Sequence, residues 1–581
     1  MERVDPVTLA VLVNNLQWIA DEMNMYLVKS AFSTNIKIRR DCSCALYTKN
    51  GDMLAQGEFV PVQLGVMSQT LKEILKEYPI GTLREGEAII HNDPFRMGSH
   101  LWEIMIFEPI FYEGDLIAFA GSLAHHVDIG GSPTMWNAST IFEEGLRIPP
   151  IRIMKEGEIQ EDILKMITTN VRTPYEVRGD IAAQTAANYR GKQRIIELAK
   201  KYGVNTLLKY FEAILDYSER GMRKAIESIP DGEATFEDYV EHDGIEETLI
   251  KIKVKVIVKG TDIYIDFRGS GKPGKGGVNS PWSLTHSAAY CAIKSVIAPK
   301  VPTNQGAYRA IHLLKPEEDT IVNAKFPSAV GHCTCSPAQR IVDVIIGALS
   351  KIVPEKVCAC DGHWPIATFI GIDPRTGRYS SYVETYACGR GAKHNDDGAD
   401  AHQTHMTNTA NAPIEIIELE HPLRVDKYAL IPDSGGAGKY RGGLGITREL
   451  TCLVPMTVGA MPMRPSIKPY GLFGGEGGAT DLNEVIFSDG SKAVAISQNV
   501  EAGDRVVIRT SGGGGWGDPL ERDIEKVEWD VLNGYISLES ARKKYGCVID
   551  PKTYKVDRER TKEFREKLKR SKTRRLKSQS S

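Results

Sequence analysis

Residues 91–131 read HNDPFRMGSHLWEIMIFEPIFYEGDLIAFAGSLAHHVDIGG. Two apolar runs, 104–111 and 116–123, flank Tyr112-Glu-Gly-Asp115, which marks an antiparallel hairpin. Polar clusters stand at both of its open ends. His100 and Glu103 lie three residues apart before the first strand, and His125, His126 and Asp128 follow the second. Imidazoles and carboxylates in two tight groups, held at fixed separation by a sheet element, are the donor set of a divalent metal site. The stretch therefore predicts both a sheet and the place on it where chemistry occurs.

Outward from this hairpin the chain alternates helices and sheet segments. Residues 6–32 carry Leu9, Leu12, Leu16, Ile19, Met23 and Leu27 at near-helical spacing. A strand, an Asn50-Gly51 turn and a second strand follow at 42–56, and Asn-Gly between apolar runs is the strongest short hairpin signal. Residues 68–78 read as helix, 88–92 as strand and 162–172 as helix. Residues 180–229 read as largely helical, broken at the glycines and closed by Pro230-Asp-Gly232. Residues 250–256 alternate apolar and polar, and 261–267 pair with them across Lys259-Gly260. Helix returns at 283–298. Beyond Gly389 the chain is glycine-rich, with strands at 485–487 and 505–509. Residues 562–577 form a basic helix, with nine Lys or Arg against two Glu; such a run is a solvated or partner-facing surface.

The expected fold class is α+β and multi-domain, mixing helices with antiparallel sheets, with a glycine-rich, β-containing C-terminal half. Four regions are expected. They are an N-terminal α+β metal-site region (1–231), a central β-rich region with helices (232–388), a glycine-rich β region (389–530) and a helical basic tail (531–581).

With 581 residues, 42% hydrophobic and 25% charged, the composition is that of a globular protein with several cores. A net charge of −3 gives no nucleic-acid or membrane-surface signature. No run reaches the roughly 18 apolar residues of a spanning helix, and the first residues carry charge, so a cytoplasmic location is expected. Ten cysteines without a secretory signal argue against a disulfide framework. The pairs Cys42/Cys44, Cys333/Cys335 and Cys358/Cys360 read as small apolar residues on one face of buried strands rather than as ligands.

In the metal reading, His100 and Glu103 converge on one ion, an imidazole near His125 completes a facial set, and Asp41 adds an oxygen. Such N/O ligands suit Zn, Mn or Fe. An open position would bind water and lower its pKa, leaving the second histidine and Asp128 for supporting or proton-transfer roles. Spacing alone leaves this reading level with a hydrogen-bonded polar turn. Gly269-Ser-Gly-Lys-Pro-Gly274-Lys275 and Gly435-Gly-Ala-Gly438-Lys439 imitate a phosphate loop but lack the hydroxyl residue that holds Mg²⁺, so both read as tight turns. His402 and His405 lack an adjacent carboxylate beyond Asp400 and read as loop capping. Gly512-Gly-Gly-Gly515-Trp516-Gly517-Asp518-Pro519 reads equally as a flexible loop near a substrate channel or as a plain turn.

Taken in order, Arg39-Arg40-Asp41-Cys-Ser-Cys, His91-Asn92-Asp93-Pro94, Gly98-Ser-His100-Leu, His125-His126-Val-Asp128-Ile-Gly-Gly131, Glu144-Gly-Leu-Arg147-Ile-Pro-Pro150, Asn170-Val-Arg172, Asp433-Ser-Gly-Gly-Ala-Gly-Lys-Tyr-Arg-Gly-Gly443 and the 512–519 run span nearly the whole chain. Together they resemble the B subunit of the hydantoinase/oxoprolinase family, which includes N-methylhydantoinase, 5-oxoprolinase and ketone carboxylases. The resemblance implies a hetero-oligomer. An actin-like A subunit binds ATP and Mg and phosphorylates the carbonyl oxygen of a small cyclic amide, and the B subunit receives the activated intermediate at a metal. It places the ligands on Asp41, His100, Glu103 and His125, with His126 and Asp128 as catalytic neighbours. Two positions depart from the family pattern: Glu103 stands for the usual Asp, and Gln63 for a common His. Both point towards a ketone-carboxylating relative (acetone or acetophenone type) as the alternative. A catalytically silent scaffold subunit is the third reading.

Overall fold

The hairpin of the 91–131 stretch lies inside a seven-stranded antiparallel sheet. Its strands are β1 (Cys42–Thr48), β2 (Met53–Gln56), β3 (Ala88–His91), β4 (Glu103–Tyr112), β5 (Asp115–His125), β6 (Ile151–Lys155) and β7 (Glu158–Ile159), in the order β2-β1-β5-β4-β3-β6-β7. The computed structural model describes residues 4–134, 136–316 and 319–579, with side chains to residue 571. Glu113 (φ 54°) and Gly114 (φ 88°) both sit in the left-handed region at the β4–β5 turn, the geometry whose twist matches paired strands. Register then sets Glu103 opposite His125 at the far end of the hairpin. The Asn50-Gly51 turn likewise joins β1 to β2.

Helices cover both faces of this sheet. Helix Pro6–Ser30 buries Leu12, Leu16, Ile19, Met23 and Leu27, the stripe its spacing predicts, against β1 and helix Pro174–Tyr202. Helix Pro61–Glu77 lies between the sheet and helix Trp282–Ile297, and begins at Pro61, earlier than its apolar spacing shows. The 180–229 run is one break, not several. Gly203 (φ 80°) separates Pro174–Tyr202 from Val204–Glu227, while Gly191 and Gly221 lie inside the helices. Gly191 is there because a Cβ would overlap the Met23 sulfur of the first helix.

The second sheet joins β8 (Gly232–His242), β9 (Glu247–Lys259), β10 (Asp262–Asp266) and β11 (Ile311–Leu314), with only β10 and β11 parallel among its pairs. β9 alternates as read, burying Ile250, Ile252, Val254, Val256 and Val258. Helix Pro337–Leu349 packs against β8, β9 and helix Trp282–Ile297, and all its residues are buried. The third sheet contains β12 (Ile366–Asp373) and β13 (Arg378–Thr385), and the fourth runs from Leu423–Leu430 through Ile446–Cys452 to Arg505–Arg509 and beyond. Fourteen helices and four mainly antiparallel sheets among the described residues make this a multi-domain α+β fold.

The glycine-rich part differs from its reading. Segments around 389–398, 434–443, 470–478 and 512–516 are bonded to one another, and 391–392, 434–438, 441–443 and 512–516 are buried. Gly443 N–H donates to Arg390 O (2.7 Å), Gly513 N–H to Gly443 O (2.9 Å) and Gly436 N–H to Gly513 O (2.8 Å). A Cβ on Gly442 would overlap the Gly513 carbonyl, so the backbones touch where a side chain would stand. The 512–515 run is thus a packed backbone element, not a flexible loop. Cys42 and Cys44 lie in a strand, whereas Cys333, Cys335, Cys358 and Cys360 lie outside strands; all ten thiols are free, and only Cys291 is less than buried. Among the described residues no helix is long and apolar enough to cross a membrane. The basic run belongs to helix Arg558–Gln579.

Candidate metal centre

Strand register brings the predicted residues to one edge of the first sheet. β1 begins after Asp41, β5 ends at His125, β4 begins at Glu103 and β3 ends at His91, and these are four adjacent strands. Backbone bonds lock the edge: His125 N–H donates to Asp41 O (3.0 Å), and His126 N–H to Trp102 O (2.8 Å). The preceding loop is braced by Asn92, whose side chain donates to Leu101 O (2.7 Å) and accepts from Ile148 N–H (2.6 Å). Asp93 caps the short turn Pro94–Arg96. The His91-Asn-Asp-Pro motif is therefore the frame of the centre.

Within that frame the His100 and His125 rings meet edge to face, with centroids 5.0 Å apart. Glu103 receives the Ser99 hydroxyl hydrogen bond. Gln63, from the first turn of helix Pro61–Glu77, donates to Asp41 Oδ1 (2.9 Å) and accepts from Ser43 (2.8 Å). His125 Nδ1 lies 3.1 Å from His126 O, so a proton there leaves Nε2 as the lone-pair nitrogen. Asn35 donates to His125 O (2.7 Å) and is itself held by Arg39, a fully buried guanidinium that also bonds Val383 O and Thr385 of β13.

Burial dominates the electrostatics of this edge. Asp41, His100, Glu103 and His125 are each at most 6% exposed. Burial pushes the Glu103 carboxyl up to about 8, against the Ser99 hydrogen bond and with the Asp41 charge adding to the rise. His100 is held well below its usual range by burial and by His125, and His125 is lowered mainly by burial. His100 Nδ1 has no hydrogen-bond partner. No Lys or Arg is among the groups acting on Glu103. In the arrangement seen, no group of three or more His, Cys, Asp or Glu among the described residues is set to hold an ion.

The two predicted neighbours diverge. His126 Nε2 stands 3.1 Å from Gln184 Oε1 on helix Pro174–Tyr202, its Nδ1 has no partner, and burial lowers its pKa. Asp128 is consumed by Arg172, which donates both its backbone N–H and Nη1 (2.7 Å), while Gly130 N–H donates to Oδ1 (3.1 Å). It ties the His125–Asp128 turn to the Asn170-Val-Arg172 motif.

Three site residues were not read from sequence: Ser99, Asn35 and His332. His332 is 1% exposed, lies against the Trp136 ring, and is held well below its usual range by burial and by His100. Its only sequence signal was its place beside Cys333 and Cys335. His402 and His405 separate. His405 joins a buried network, 2.9 Å from Asp343 and 3.4 Å from Asp361, whereas His402 turns to Gln403 O.

Comparison with known proteins gives a consistent result. MJ0963, an uncharacterized protein of Methanocaldococcus jannaschii, is 38% identical over 573 residues, covering 97% of this chain and 100% of that one. Caprolactamase subunit beta of Pseudomonas jessenii is 31% identical over 566 residues, covering 95% and 97%. The crystal structure of the ATP-dependent caprolactamase from Pseudomonas jessenii superposes with a TM-score of 0.90 at 30% identity, covering 97% of this chain and 100% of that one. Residues 5–519 match the family described as hydantoinase B/oxoprolinase, and the chain belongs to that family.

Proposed function

We propose that this chain is the metal-containing B-type subunit of an ATP-dependent cyclic-amide hydrolase, acting on hydantoin- or 5-oxoproline-type lactams. An amide carbonyl is a poor electrophile and its oxygen a poor leaving group. In this reading an actin-like A subunit, carrying ATP and Mg, phosphorylates that oxygen, and the B subunit opens the activated ring with water. The observation that carries the reading is the buried His100–Glu103–His125–Asp41 edge, where no Lys or Arg is among the groups acting on Glu103. Asp41, His100, Glu103 and His125 would hold a divalent Zn, Mn or Fe ion. When bound, such an ion supplies Lewis acidity and brings the pKa of water towards neutrality.

The chain's own groups do the rest. Gln63 and Ser99 aim the two carboxyl groups, and the His126 carbonyl and the Asn35 amide hold the His125 ring in place. Leu101 and Trp102, both buried, keep bulk water from the edge. His126, whose Nδ1 is unpartnered, is the proton-handling group, while Asp128 acts through Arg172 to hold the turn that carries both histidines.

The test is ATP turnover by the chain purified with its partner, against a panel of hydantoin, 5-oxoproline and caprolactam. Bicarbonate with acetone or acetophenone is run alongside. ATP-dependent ring opening is the expected result. Bicarbonate-dependent turnover of a ketone without ring opening would replace the reading with carboxylation, the direction in which Glu103 and Gln63 point. Absence of bound metal would leave the scaffold role.

A further inference from the structure

A cavity of about 500 Å³ borders the His125–Asp128 turn at Val127. The groups that grip the turn also build the cavity. Ser381 of β13 lines it and donates to Val127 O (2.8 Å). Thr34 and Thr173 line it as well, and each is the chain neighbour of a residue that holds the centre. Those residues are Asn35, bonded to His125 O, and Arg172, bonded to Asp128. The volume is that of a small-molecule site.

The charged groups that line it do not all cancel. Arg375 and Asp373 do, since Arg375 donates Nη2 (2.9 Å) and Nε (3.0 Å) to Asp373 Oδ2. His421 is neutral: burial, and then Arg375, lower its pKa to about 4, and its Nδ1 lies 2.8 Å from the Ser380 hydroxyl. Arg378 is different. Its guanidinium stands 5.9 Å from the Tyr175 ring centroid and makes no hydrogen bond or ion pair among the described residues. Two carboxylates share the cavity with it. Burial raises the Glu176 carboxyl and the Arg378 charge pulls it back, though no ion pair joins the two; Glu420 accepts the Thr34 hydroxyl hydrogen bond. One uncommitted cation and two carboxylates around one space are the complement of a ligand that carries both a carboxylate and an ammonium.

We propose that this cavity binds a free amino acid as its zwitterion, with the carboxylate on Arg378 and the ammonium on Glu176 and Glu420. Opening a lactam makes such a molecule. The amide C–N bond breaks, water gives its hydroxyl to the acyl carbon and its hydrogen to nitrogen, and the acid proton passes to the amine. That the ligand is the reaction product rests on the function proposed above; the charge pattern of the cavity does not. Hydantoin opening leaves a ureido acid without an ammonium, so the site favours the products of 5-oxoproline- and caprolactam-type rings. A product bound there bears on the turn of the centre through Ser381 and the Val127 carbonyl, which makes the cavity a product-sensing site.

The test titrates glutamate and 6-aminohexanoate into the full-length chain by calorimetry, with hexanoate and hexylamine as ligands that each lack one charge. Wild type is expected to bind at least one of the amino acids with a Kd of about 1 mM or tighter. Each single-charge ligand should bind about fivefold more weakly or worse. Arg378→Met should weaken the amino acid about fivefold or more and leave hexylamine unchanged, and Glu176→Gln should weaken it similarly and leave hexanoate unchanged. Melting temperatures should not move. In the complex with the partner, the same amino acid should inhibit ATP-dependent turnover, and Arg378→Met should relieve that inhibition with kcat unchanged when no amino acid is added. The inference is overturned if wild type binds neither amino acid, or if hexanoate or hexylamine binds as tightly. It is also overturned if both variants bind within about twofold of wild type, or if saturating amino acid leaves wild-type turnover untouched. A complex that carboxylates ketones while Arg378→Met still loses the amino acid would end the lactam reading and keep the site.

Discussion

Glu103 pays no rent to the fold. It is a buried carboxyl whose charge is opposed by burial and by Asp41. Glu103→Gln is therefore expected to melt higher than wild type in chelator, and to bind metal at least about tenfold more weakly. Melting curves with and without chelator, together with metal analysis, check both halves; a variant that melts lower when metal-free would refute the first. His100→Ala is expected to lose bound metal and about 10²-fold or more of activity, read by metal content and turnover. At this scale much was legible. Asp41, His100, Glu103 and His125 each stand where a polar residue meets the end of an apolar strand, and pairing brings strand ends together. Asp128 was legible as a polar residue but not as Arg172's partner, because nothing local in sequence links a turn to the foot of a distant helix. His332 was hidden for the same reason.

The elements most visible in sequence are those with one wet face. β9 alternates and helix Pro6–Ser30 carries a stripe, so each announces its period. Helix Pro337–Leu349 is buried on every side, and its polar residues Gln339, Arg340 and Asp343 share one face that meets the protein interior rather than water. The glycine-rich segments deceive in the other direction, since abundant glycine normally signals a pliable loop and here signals contact between backbones. Gly442→Ala would drive a methyl group into the Gly513 carbonyl. The expected loss is at least the roughly 1–3 kcal/mol of overpacking, read as a lower denaturant midpoint. Gly490→Ala, where nothing lies within 4 Å but φ is 86°, separates strain from overlap and should cost less.

At the scale of the whole molecule, a buried ionic hub ties the central sheet to the C-terminal half. Arg464 donates to Asp238 and Asp343 (both 2.8 Å), Arg340 reaches Glu241 (3.1 Å), and Asp343 also binds His363 (2.6 Å) and His405 (2.9 Å). Arg464→Met would strand two buried carboxylates and is expected to cost about 3–5 kcal/mol of stability. His405 is faced by Asp343, Asp361 and Arg390, and the two carboxylates raise its pKa above the usual 6.5 despite burial. A raised folded-state value stabilises below about 6.5 and is lost as pH climbs through the folded pKa. The melting temperature should therefore decline above neutral pH, and His405→Gln should flatten that decline. None of this hub was visible in sequence beyond the isolated histidines, because its members come from segments far apart along the chain.

The glycine bundle also constrains the order of assembly. Its strands of backbone come from around residues 390, 440, 475 and 513, and each is hydrogen-bonded mainly to another rather than to its own neighbours in sequence. Closing such long loops precedes any reward from the contacts, which makes this half slow to form and cooperative once formed. Pulse-labelled hydrogen exchange during refolding should protect the Gly436, Gly443 and Gly513 amides together, and later than the amides of β4 and β5, whose hairpin closes across two residues.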